Sequence, residues 1–159
     1  MKKILLILGL ISFNYLANAQ YALNKGKSQL NAGVGLSGLG APLYVGLDYG
    51  VHKDISIGGE LSFRSYYNNY GIGILGNANY HFNWLLAIPK EFDFYAGLNL
   101  GYYVWTGSTV YVNSRGVNGL GIGLQVGGRY YFTPKFGINL EFNNFNVIGG
   151  GKFGITYKF

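Results

Sequence analysis

From Phe153 onward apolar and polar residues take strict turns, with Phe153, Ile155, Tyr157 and Phe159 set against Gly154, Thr156 and Lys158. Period two puts the first set on one face of a strand and the second on the other. The same alternation recurs seven times upstream. It predicts strands over Gln29–Leu36, Leu43–Val51, Ile55–Ser65, Ile72–Trp84, Asp93–Val104, Gly119–Phe132 and Phe136–Phe145 before the last one. Gly119–Phe132 is the clearest: Leu120, Ile122, Leu124, Val126, Tyr130 and Phe132 alternate with Gly119, Gly121, Gly123, Gln125, Gly127, Arg129 and Tyr131. Leu75 alone among the large aliphatics of the fourth strand falls on the polar face. No helical period competes, and the glycines would weaken any helix.

Each segment is close to the nine to eleven residues that a tilted strand needs to cross a bilayer. Strands in lipid must close on themselves, because an open edge leaves backbone groups unpaired at several kcal/mol each. The pattern therefore predicts an all-β chain: an eight-stranded antiparallel up-and-down transmembrane β-barrel spanning residues 28–159.

Ahead of the strands lies an export pattern. Lys2 and Lys3 precede an apolar run from Ile4 to Phe13, and Ala17-Asn18-Ala19 offers a small-x-small cleavage site after Ala19. The apolar run would reach about 15 Å as a helix, half of a hydrocarbon core, so a cleaved signal over residues 1–19 is expected rather than an anchor. Residues 20–27 are then an N-terminal periplasmic segment. The connections sort by side. His52-Lys53-Asp54, Leu85–Phe92 and Thr133-Pro134-Lys135 would lie on the periplasmic side with both termini, and Ser37–Pro42, Tyr66–Gly71, Thr106–Asn118 and Asn146–Gly150 outside. Only the loop 106–118 is long. Phe82, Trp84, Phe94, Phe132, Phe136 and Phe159 gather near the inner rim as an aromatic girdle.

Composition decides which face meets what. Only 11% of the residues are charged while 18% are aromatic, against about 25% charged in an ordinary soluble domain. An exported lipocalin-like barrel would share the alternation but turn the polar face to water, and this polar face of Gly, Asn and Ser is too poor in charge for that. Its few charges balance: Asp48, Glu60 and Glu141 against Arg64, Arg129 and Lys152. Compensated charges suit an enclosed lumen, where an unpaired ion is costly. Inward glycines leave room for Tyr44, Tyr95, Tyr103 and Tyr131, so a packed lumen is expected rather than a pore. The turn at residues 133–135 sets Arg129 opposite Asn139, with Glu141 diagonal to it as a candidate ion partner.

The net charge of +6 comes from scattered residues, and export removes nucleic acid as a partner. Zero cysteines exclude disulfides and thiol chemistry. With only His52 and His81, no metal site is expected, and neither histidine has a serine two residues away, so no enzyme is expected either. The strings Gly33-x-Gly35 and Gly119-x-Gly121-x-Gly123 lack the helix that a phosphate loop requires. No cofactor is expected.

Over residues 28 to 159 the chain resembles the small eight-stranded outer-membrane barrels of the OmpA/OmpX type, in a glycine- and asparagine-rich style similar to members from Bacteroidetes-type bacteria. The residues that carry the resemblance best are Phe153, Ile155, Tyr157 and Phe159, which match the terminal signal such proteins present to the barrel-assembly machinery. The resemblance implies a bacterial outer-membrane location, lipid and lipopolysaccharide as surroundings, and a monomer. It implies a non-enzymatic structural or surface-interaction role. A small passive channel with a wet lumen, and an adhesin or receptor acting through the loop 106–118, are the alternatives.

Overall fold

The computed structural model describes residues 23–36, 42–107, 119–144 and 150–159. Eight strands run in chain order: β1 (Ser28–Gly35), β2 (Leu43–His52), β3 (Ile55–Tyr66), β4 (Asn69–His81), β5 (Phe92–Gly107), β6 (Gly119–Tyr131), β7 (Phe136–Asn143) and β8 (Gly150–Lys158). Every strand pairs antiparallel with the next, and β8 returns to β1, from Gln29 against Lys158 to Gly35 against Lys152. The closure continues one residue past β8, where Ser28 N–H donates to the Phe159 carbonyl (3.1 Å) and Phe159 N–H to that of Ser28 (2.9 Å). The result is a closed up-and-down barrel, which leaves no sheet edge to be satisfied.

The burial pattern is that of a soluble protein turned inside out. Along β6, Leu124 is 62% exposed while its neighbour Gln125 is 4% exposed. On β2 the exposed series is Leu43, Val45, Leu47 and Tyr49, and the buried one is Tyr44, Gly46, Asp48 and Gly50. An unbroken apolar outer wall around a polar interior is stable in hydrocarbon and would be a severe aggregation liability in water. Leu75 is the informative exception. It points inward, 5% exposed, as its place on the polar face predicts. A methyl group at Gly101 would come within 2.6 Å of the Leu75 Cβ, so the glycine on β5 makes the room that the leucine on β4 needs.

Several boundaries differ from the expected ones. β4 begins at Asn69 rather than Ile72, so only Tyr67 and Asn68 connect it to β3, with Tyr67 in the left-handed region at φ 50°. β4 also stops at His81, three residues before Trp84, because the Asn83 side chain takes over the pairing. Its amide donates to the Phe92 carbonyl (2.6 Å) and its oxygen accepts from Phe94 N–H (3.3 Å). β5 extends to Gly107, and β8 begins at Gly150 rather than at Phe153. β7 ends at Asn143, where Asn144 continues the edge by accepting from Leu124 N–H through its side chain (2.6 Å).

At the end where Ser28 and Phe159 lie, aromatic rings ring the outer wall: Phe92 against Tyr130, Tyr130 against Phe132, and Phe132 beside Phe136. Trp84 joins them from the turn after β4, with the Lys53 ammonium 3.7 Å from its ring centre. The turn between β6 and β7 is held by the Thr133 hydroxyl, which accepts from Phe136 N–H (2.9 Å). The expected signal peptide over residues 1–19 with its cleavage residues Ala17 and Ala19, residues 20–22, and residues 108–118 of the long loop lie outside the described residues. So do residues 37–41 and 145–149.

Candidate functional site: a charged, closed lumen

Strand parity aims one side chain in two at the barrel axis, and an eight-stranded interior is only wide enough for those side chains to meet. They meet in two charged centres. The first is built on Arg129 of β6. Its Nη1 donates to Asp93 Oδ2 (2.8 Å) and its Nη2 to Asp48 Oδ2 (2.9 Å). The Gln29 amide lies 2.9 Å from its Nε, and its guanidinium stacks on the Tyr95 ring at 4.1 Å. Asp48 also accepts from Asn31 Nδ2 (2.9 Å), and the Tyr131 hydroxyl meets Gln29 at 2.5 Å. A planar guanidinium with several fixed donors suits such a fork.

The second centre is built on Lys152 of β8, whose ammonium contacts Glu141 Oε1 at 2.8 Å and Glu60 Oε2. The Tyr95 hydroxyl donates to Glu141 Oε2 (2.7 Å), and the Tyr44 hydroxyl donates to Asn139 (2.7 Å). Tyr95 therefore links the two centres, its face on Arg129 and its hydroxyl on Glu141. Only glycine fits beside it on β6, because a methyl group at Gly127 would lie 2.4 Å from the Tyr95 hydroxyl. Between Tyr44, Glu60, Tyr95, Arg129, Glu141 and Lys152 a cavity of about 10 Å³ is left, room for roughly one water molecule.

Of the six charged residues expected in the lumen, Asp48, Glu60, Arg129, Glu141 and Lys152 enter these centres. Arg64 is buried too, with its guanidinium 6.0 Å from the Trp105 ring centre. The candidate pair of Arg129 with Glu141 does not form. The expected register is right, Arg129 opposite Asn139, but each residue takes a directly opposed partner instead. Arg129 faces Asp93 across β5–β6 and Glu141 faces Lys152 across β7–β8. Direct neighbours on one face lie several ångströms closer than diagonal ones.

Asp93 was the acid that sequence reasoning missed. It stands at the first position of the strand expected from the sequence, where alternation has hardly begun, yet it shares parity with inward Tyr95, which is the signal that places it in the lumen. His81 is buried, its Nδ1 2.8 Å from Asp93 Oδ1. His52 is exposed in the β2–β3 turn, where its Nδ1 accepts from Asp54 N–H (3.3 Å). Phe153, Ile155, Tyr157 and Phe159 all face outward.

No protein-family model and no curated protein matches the chain by sequence. Solved structures do match by shape. The N-terminal β-barrel domain of Pseudomonas aeruginosa OprF aligns with a TM-score of 0.64 at 14% identity, over 85% of this chain and 98% of that one. A de novo designed transmembrane β-barrel aligns with a TM-score of 0.61 at 14% identity, over 87% of this chain and 99% of the design. The outer-membrane protein OprG of Pseudomonas aeruginosa aligns with a TM-score of 0.58 at 10% identity, over 87% and 98%. A designed barrel has no natural ancestry, so likeness at this level reports architecture. By its closure, its polar interior and these alignments, the chain has the fold of the small eight-stranded outer-membrane β-barrels.

Proposed function

We propose that this chain is an integral outer-membrane protein whose barrel is a sealed structural body, non-enzymatic, carrying its interactions on the loops at the end opposite the termini. The observation that carries this is the lumen. Two linked charged centres cross it, and the cavity left between them is about 10 Å³. A solute pathway needs a continuous wet channel, and a plug of direct ion pairs and hydrogen bonds provides none. That favours the structural reading over the passive channel.

In this reading both termini lie in the periplasm. The apolar wall contacts lipid and lipopolysaccharide, and the barrel works as a monomer. Phe153, Ile155, Tyr157 and Phe159, displayed together on the outside of the closing strand, are what the barrel-assembly machinery would bind. The loop 106–118 is the segment on which a surface-interaction or receptor role would rest.

Single-channel recording in planar bilayers tests the sealed lumen. The purified folded protein should give no discrete conductance steps at moderate voltage. Steady openings from the wild-type barrel would replace this reading with the channel.

A further inference from the structure

One set of lumenal residues has an arrangement that filling alone does not demand. Ser56 Oγ lies 2.9 Å from His81 Nε2, and His81 Nδ1 lies 2.8 Å from Asp93 Oδ1. All three side chains are buried, with Ser56 and Asp93 at 0% exposure. The carboxylate is itself held, since its other oxygen accepts from Arg129 Nη1 at 2.8 Å. A carboxylate on Nδ1 fixes the imidazole tautomer with its proton there, which leaves the Nε2 lone pair facing the serine hydroxyl. Nucleophile, base and orienting acid are in hydrogen-bond order, each on a different strand: β3, β4 and β5.

What closes the site is the chain just before β1. Ser56 is directly opposite Gly50 on β2. The lumen side of Gly50 is occupied by backbone, because a methyl group there would lie 2.4 Å from the Asn24 carbonyl oxygen and 3.0 Å from that of Leu23. Leu23 is 1% exposed. Gly26 N–H donates to the Gly50 carbonyl (2.8 Å), and Gly50 N–H donates to that of Lys27 (3.0 Å). Residues 26 and 27 are thus tied to the end of β2, the backbone of Leu23 and Asn24 sits on the lumen side of Gly50 beside Ser56, and only a residue without a side chain at position 50 lets it in.

We propose that Ser56 is an activated nucleophile and a site of covalent modification, taking small activated acyl or phosphonyl donors when residues 23–27 withdraw from the mouth. In the step, Ser56 Oγ bonds to the carbonyl carbon or phosphorus while its proton passes to His81 Nε2. The bond to the leaving group breaks, and that group departs with the electron pair, as fluoride from a phosphonofluoridate or as a phenolate from an aryl ester. The barrel gains a single lasting adduct, and its structural role is unchanged.

The test uses the protein lacking residues 1–19, folded in detergent, with the folded fraction read from its unheated gel mobility. A fluorophosphonate is added and the adduct located by peptide mass mapping. Leu23→Asp opens the mouth, and Leu23→Gly replaces it if that variant does not reach folded mobility. The open variant should be labelled at Ser56 at least tenfold faster than the native sequence. Adding His81→Gln should slow the labelling by about a hundredfold, the usual worth of a positioned general base. Adding Ser56→Ala should abolish it. Nitrogen-15 shifts of His81 in the native barrel should report the tautomer protonated at Nδ1. A folded open variant without an adduct at Ser56, labelling at an unchanged rate without His81, or the opposite tautomer would each overturn the proposal.

Discussion

The two lumenal centres use different cations and reach different degrees of completion. Arg129 engages two carboxylates through separate nitrogens, an amide at Nε and an aromatic face. Lys152 engages two carboxylates and the Tyr44 ring face (4.8 Å) through a single ammonium, and Glu60 keeps its Oε1 buried without a hydrogen-bond partner. A guanidinium spreads its donors in a fixed plane, whereas an ammonium is a compact point charge. Three of the eight strands supply the first centre's charged and aromatic groups, so it ties β2, β5 and β6 into one unit, with β1 joined through the Gln29 amide. The second ties β3, β7 and β8. The difference teaches that the arginine centre is the fully satisfied clamp and the lysine centre the weaker one.

Substitutions can break this comparison. The largest loss is expected from Arg129→Ala, which leaves Asp48 and Asp93 buried without their cation and should destabilise by about 3–5 kcal/mol in a lipid-refolding titration. Lys152→Ala removes one ammonium from a centre already incomplete and should cost less, about 2–3 kcal/mol by the same titration. Glu60→Gln should cost least, about 1 kcal/mol. It leaves Lys152 paired with Glu141, and its amide can still accept from the ammonium. Equal losses from the arginine and lysine variants would erase the distinction between the centres.

Most of the wall could be read from alternation, because lipid on one side and a narrow lumen on the other impose a strict period of two. The inward placement of Leu75 followed from parity alone. What parity does not supply is partner choice. Arg129 and Glu141 share the inward face and were within diagonal reach, yet the outcome depended on which residues stood directly opposite across β5–β6 and β7–β8. Asp93 escapes notice because it lies at the edge of the expected strand, next to the Leu85–Phe92 connection, where too few residues precede it to establish a period. The two-residue turn at Tyr67 and Asn68 was hidden by Asn69, Tyr70 and Gly71, whose types suggest a loop although their faces continue the alternation. Leu23 lies before the first strand, and no local pattern announces that a residue there folds back into the barrel mouth.

The central claim is that apolar residues face lipid and polar residues face a sealed interior. Adjacent positions on β6 test it most directly: Leu124 on the outer wall and Gln125 within the lumen. In a lipid-refolding titration, Leu124→Arg should destabilise the barrel by about 2–4 kcal/mol, and Gln125→Ala, which removes its hydrogen bonds with Asn79 and Asn99, by about 1–2 kcal/mol. A barrel that tolerates arginine at position 124 but collapses on losing the amide at position 125 would be facing the other way, with its apolar side inward, and would contradict the account.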